Sequence, residues 1–131
     1  MIIQKIHLKE YDWRVVILYE VTNEHLRPVL KILEEMEADY NSVMAATKNI
    51  SANLLNTGFI YSNYDKKQSL IVVGKASSYS QLLNTISHEI NHLETHIATV
   101  YNLDQTGEEV CELVGYITQR MSAVFKKLFC K

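Results

Sequence analysis

The run SYSQLLNTISHEINHLETHIATVYN, residues 78 to 102, reads as one long helix, and the rest of the chain is organised around it. Ser78 and Gln81 have the Ser-x-x-Gln spacing of a capping box, in which each side chain satisfies a backbone N–H that the first helical turn leaves open. Leu82, Leu83, Ile86, Ile90, Leu93 and Ile97 fall on one stripe when about 100° is assigned to each residue, which predicts the face turned to a core. On the same wheel His88 and His92 stand about 40° apart, away from the stripe and one turn from each other along the axis. Both imidazoles can therefore address a single site.

Working outward, Asn102 to Gly107 (NLDQTG) interrupts the period, and a last helix is expected from about Thr106 or Gly107 to Leu128. Upstream, Thr57 to Tyr64 (TGFIYSNY) and Ser69 to Lys75 (SLIVVGK) read as two strands of a hairpin joined by a short polar link. Trp13 to Val21 (WRVVILYEV) is rich in β-branched and aromatic residues and reads as a buried first strand. Between Thr22 and Ile50 apolar residues recur at gaps of three and four, which fits one broken helix or two; Pro28 belongs near a helix start, where its missing N–H costs least. These elements predict an α+β fold: a small antiparallel or mixed sheet of about three strands, packed on the residue 78–102 helix and a C-terminal helix. With one proline, four glycines and no linker-like or repetitive stretch, residues 1–131 are expected to form a single domain.

Bulk properties narrow the partners. A formal charge of -2 and a pI near 6.2 provide no basic field for nucleic acid or an anionic membrane, so neither is expected as a partner. The first residues are too often interrupted by polar side chains to read as a signal peptide, and no apolar run approaches the ~18 residues of a membrane span, so a cytoplasmic location is expected. Cys111 and Cys130 lie in what reads as one helix, whose rise of ~1.5 Å per residue would hold them too far apart for a disulfide.

The chemistry concentrates in His88-Glu89-Ile90-Asn91-His92. An i, i+4 pair of imidazoles on a helix can place two nitrogens on one tetrahedral zinc ion, with Zn–N bonds of about 2.0–2.1 Å. Glu89, rotated by roughly 100° from His88, misses such a metal and can instead reach a water bound to it. There it would act as general base, taking the proton as the water attacks a polarised carbonyl and handing it to the leaving amine. Two imidazoles and a carboxylate with one position left open suit Zn2+.

With this HExxH run in an amphipathic helix just after a hairpin, the chain resembles the zincin metallopeptidases, and among them the glutamate-zincin type, over roughly Thr57 to Gln119. Small phage and mobile-element proteins look similar. The resemblance implies a zincin-like fold, a peptide or protein substrate, and a third metal ligand from a glutamate on the following helix. Gly107-Glu108-Glu109-Val110-Cys111-Glu112 opens that helix, its glutamates 16 residues or more beyond His92. Glu109 is the favoured ligand, because it begins a face that continues through Glu112 and Tyr116; Glu108 and Glu112 are the alternatives. Tyr116, seven residues on, returns to the same face and is a candidate to approach the reacting oxygen, although a packing role also fits. The strand preceding the motif helix, Ser69 to Lys75, becomes the candidate edge for peptide binding by β-augmentation. His96 extends the series His88, His92, His96, but about 12 Å of helix separates the first from the last. The metzincin type bends its chain with a glycine after the second histidine, where this chain has Leu93-Glu94-Thr95, so His96 reads as a neighbour of the ligands or a surface residue. Gly115 reads as a packing glycine between helices. The expected activity is zinc-dependent hydrolysis of a peptide bond. The alternatives are a zinc-binding but non-catalytic structural or interaction protein of a phage or mobile element, and an interaction module in which the motif is accidental.

Overall fold

In the computed structural model, which describes residues 1–129, Trp13–Val21 forms a strand with both faces covered. Trp13, Val15, Ile17 and Tyr19 point to one core, and Leu18 and Val21 to a second core on the other side of the sheet. This two-sided burial explains the near-continuous apolar reading of the segment.

The elements in chain order are β1 (Ile2–Leu8), a single 3₁₀ turn (Lys9–Tyr11), β2 (Trp13–Val21), a second 3₁₀ turn (Asn23–His25), α1 (Leu26–Glu35), α2 (Tyr40–Ala52), β3 (Gly58–Asn63), β4 (Gln68–Gly74), α3 (Tyr79–Tyr101) and α4 (Glu108–Phe129). The fold is α+β. Its mixed sheet has four strands in the order β1-β2-β4-β3; β2 and β4 run parallel, and the outer pairs β1/β2 and β3/β4 run antiparallel. Helices α1 and α2 supply Val29, Leu33, Met36, Ala46 and Ile50 to one face of the sheet, and α3 and α4 cover the other.

The sheet has one strand more than the three that hydrophobic patterning suggests. β1 covers only one face: Ile6 and Leu8 enter the core while Ile3 and Lys5 look out, so its apolar content is too low to stand out as a buried strand. A second correction concerns the sheet edge. Ser69 to Lys75 is not available to a peptide, because β4 is bonded to β2 along one side and to β3 along the other. The open edges of the sheet belong to β1 and β3.

Other boundaries fall close to expectation. Between Thr22 and Ile50 there are two helices, with Pro28 in the first turn of α1. The Ser78 side chain accepts a hydrogen bond from the Gln81 backbone at 3.2 Å and caps α3. Asn102 ends α3 in the left-handed conformation, φ 54°, a geometry that asparagine tolerates better than most residues. Leu83, read as part of the apolar stripe, is 37% exposed, whereas Glu89 and Glu94, which flank the stripe, are buried. Cys111 is exposed with a free thiol, and Cys130 lies outside the described residues. Among the described residues no helix is long and apolar enough to cross a membrane.

Gly115 is not the close-packing glycine expected. It is exposed on α4, and a Cβ added there would meet nothing within 4 Å. Gly115→Ala should therefore raise the unfolding free energy by about 1 kcal/mol, the helix-propensity difference alone. Urea unfolding measures it, and a loss of stability would mean that the helix face is covered after all.

Candidate metal centre

Helix α3 lies on the sheet beside the open edge strand β3, and their contact fixes the candidate site. Three alternate residues of β3 face α3. Gly58 abuts Thr85 and Glu89, Ile60 packs into the shared core, and Ser62 bonds His96. A Cβ at Gly58 would stand 2.8 Å from Thr85 Cγ2 and 3.0 Å from the Val72 carbonyl oxygen, so glycine is what lets the helix approach the edge this closely. β3 therefore runs alongside α3 from Glu89 toward His96.

His88 and His92 sit on the outer flank of α3 beyond that contact, both exposed, with their Nε2 atoms 3.1 Å apart. Two nitrogens sharing a tetrahedral zinc at the usual bond length stand about 3.3 Å apart. The 3.1 Å contact is a hydrogen bond between the two rings, and it holds the nitrogens close to the separation that a shared metal requires.

Glu89 occupies the neighbouring face and is buried, 4% exposed. One of its oxygens, Oε2, is enclosed and has no hydrogen-bond partner among the described residues. Burial pushes its carboxyl above the usual range, while the nearby imidazoles of His88 and His92 pull the other way. Glu94, buried to a similar degree on the same helix, contrasts with it. Thr95 Oγ1 donates to Glu94 at 3.3 Å, and the Gln105 side-chain nitrogen, in the amide orientation that satisfies both groups, also donates to it. The chain thus satisfies one buried carboxylate of α3 and leaves the motif carboxylate unsatisfied, a cost that structures seldom carry without a use for the group.

The structure does not bring Glu109 to the histidines. Glu109 accepts a hydrogen bond from the Tyr11 hydroxyl at 2.8 Å, and Tyr11 stacks edge-on against Tyr101 at the far end of α3. Tyr101 is nine residues beyond His92, about 13 Å along the helix. Glu109, Glu112 and Tyr116 line a separate cleft of about 340 Å³ with His7, Glu10 and Tyr11. There, burial, the bond to Glu109 and the charges of Glu109, Glu10 and Glu112 push the Tyr11 hydroxyl up to about 12. Tyr116 is 42% exposed and its hydroxyl accepts from Arg120, so it too stands away from the motif. The physical reason is the side on which α4 packs. α4 meets α3 across the shared core, whereas the histidines turn outward past β3. Among the described residues no group of three or more His, Cys, Asp or Glu is arranged around one metal position. The donor set present is therefore two imidazoles with an orphaned carboxylate beside them, which fits the zinc-and-base part of the motif and lacks the glutamate ligand.

Sequence reading missed the polar partners of His96. Its Nδ1 lies 2.7 Å from Ser62 Oγ, which is 2.6 Å from Ser69 Oγ, which accepts from Trp13 Nε1 at 2.9 Å. Ser62 on β3 and Ser69 on β4 are cross-strand partners, and a single serine in each strand carries no local signal that it faces a helix.

No family model matches the chain, and no curated protein and no solved structure matches it.

Two stability outcomes follow from this geometry. Replacing the orphaned carboxylate by an apolar side chain of similar length, Glu89→Met, should stabilise the metal-free chain by about 1–3 kcal/mol, the range for a buried polar group left without a partner. Gly58→Ala should destabilise it by about 1–3 kcal/mol, because α3 must move off β3. Chemical denaturation of both variants checks the signs together; a Glu89→Met variant less stable than wild type would mean that the carboxylate is satisfied in solution.

Proposed function

We propose that this chain is a zinc-dependent peptidase with a zincin-like fold, in which His88 and His92 would hold the metal and Glu89 is the general base. The observation that carries the reading is the pair of Nε2 atoms at 3.1 Å beside a buried carboxylate with a partnerless oxygen. A hydrogen bond between two surface histidines is enough to give that spacing, but it needs no enclosed, partnerless carboxylate beside it.

Zinc bound there would supply a Lewis acid and would lower the pKa of water toward ~7. The remaining steps belong to the chain. Burial holds the Glu89 carboxyl above its ordinary range, which makes it a better proton acceptor than a solvated glutamate. It takes a proton from the attacking water and returns it to the departing amine nitrogen. The free edge of β3 offers backbone N–H and C=O groups to an extended peptide, which would lie over the histidine flank of α3. Gly58 keeps that edge close to Glu89.

The decisive measurement is metal content per chain after zinc loading and removal of excess. About one zinc is expected in wild type, with loss in His88→Ala and in His92→Ala. Glu109→Ala should keep it, since that side chain is engaged with Tyr11. Glu89→Gln should retain zinc and lose hydrolysis of a peptide library by at least about 100-fold, the scale of a positioned acid-base group. Wild type without zinc, or a Glu89→Gln variant as fast as wild type, would falsify the proposal.

A further inference from the structure

The hydrogen-bond chain from Trp13 to His96 has only one arrangement of hydrogens in which each hydroxyl donates to another member of the chain. The Trp13 indole can only donate, so Ser69 Oγ is an acceptor in that bond. Ser69 is 1% exposed, and its hydroxyl hydrogen must also find an acceptor. Ser62 Oγ, 2.6 Å away, is its one remaining side-chain partner. Ser62 then directs its own hydrogen to His96 Nδ1 at 2.7 Å. Run in the opposite sense, the chain would leave the Ser69 hydrogen buried without an acceptor, at a cost of about 1–3 kcal/mol. A ring that accepts at Nδ1 is neutral and carries its hydrogen on Nε2.

The position of His96 gives that hydrogen a direction of use. His96 is one helical turn beyond His92, its ring centroid 6.4 Å from that of His92, beside Ser62 on the open strand β3. Tyr64 meets the ring edge-on at 5.5 Å and helps to fix its plane. Among the described residues Nε2 has no hydrogen-bond partner, and it is not among the enclosed, unsatisfied atoms, so it reaches solvent. Burial also lowers the pKa of the ring, which favours the neutral form.

We infer that His96 is locked as the neutral Nε2–H tautomer by the Trp13-Ser69-Ser62 chain and acts as a fixed hydrogen-bond donor to a carbonyl oxygen of a peptide lying along β3. The donor role rests on the peptidase reading; the tautomer does not. His96 is accordingly not a metal ligand, since one ring nitrogen is engaged by Ser62 and the other carries hydrogen. A neutral donor placed one turn from the metal pair would grip a substrate carbonyl without competing for the ion, and would strengthen its bond as negative charge develops on that oxygen.

Long-range 1H–15N correlation spectra of the histidine side chains, recorded on the full chain with and without zinc, test the tautomer. The His96 signals should show the Nε2–H pattern in both states, while those of His88 and His92 move when zinc is added. Ser62→Ala and Ser69→Ala should each turn the single tautomer into a mixture. An Nδ1–H or charged His96 ring at neutral pH, or a zinc-induced move of His96 to a coordinated pattern, overturns the inference. The donor role is tested on zinc-loaded protein with the peptide library. His96→Ala should lower kcat/KM by about tenfold or more at unchanged zinc content, and His96→Gln, which retains a side-chain N–H, should recover part of it. Equal rates in wild type and His96→Ala overturn the donor role. Wild type that binds zinc but cleaves nothing removes the peptidase reading and the donor role with it, and leaves the tautomer to stand on the spectra.

Discussion

The parallel pairing of β2 with β4 is the constraint on which the other elements depend. Both strands are buried on both faces, so the chain must cover the sheet twice. It does so first with α1 and α2, in the crossover that separates the two strands, and then with α3 and α4 on the opposite side. Once β2 and β4 hold the centre, β1 and β3 are left at the margins, each paired on one side only. The one open edge next to α3 is therefore β3, and the histidine motif faces outward past that edge.

The close approach of α3 to β3 then shapes the chemistry. With hydrogen in place of a side chain at Gly58, the helix lies near enough for Glu89 to be enclosed between helix and strand. His88 and His92 stay in solvent because an α-helix turns about 100° per residue. One short motif thus presents an exposed nitrogen pair and an enclosed carboxylate from adjacent positions. That arrangement costs stability, since the carboxylate oxygen has no partner, and the cost falls on the residue that the proposed reaction needs as a base. The same contact line continues to His96, where the polar interior of the sheet, Ser69 and Trp13, reaches the surface through Ser62.

Much of this was legible in local patterns. The hairpin of β3 and β4, the capped start of α3 at Ser78, its end at Asn102 and the i, i+4 histidine geometry all follow from interactions within a few residues, which a sequence expresses directly. β1 was not legible, because a margin strand with one face in solvent lacks a strong apolar signal. Neither was the fate of Glu109: helical periodicity says which residues share a face of α4, but not which part of α3 that face meets.

The sequence by itself determined the helices and most of the strands, the spacing of His88, Glu89 and His92, and the absence of a basic field. Each of these is set by backbone periodicity or by summed charge, which need no knowledge of distant residues. Only the tertiary structure decided that β3 and not β4 is the open edge, that Glu89 is enclosed, that Glu109 pairs with Tyr11, and that His96 is joined to Trp13 through two serines. Those outcomes depend on strand order and on the side from which each helix packs, relations between residues tens of positions apart that no local pattern encodes.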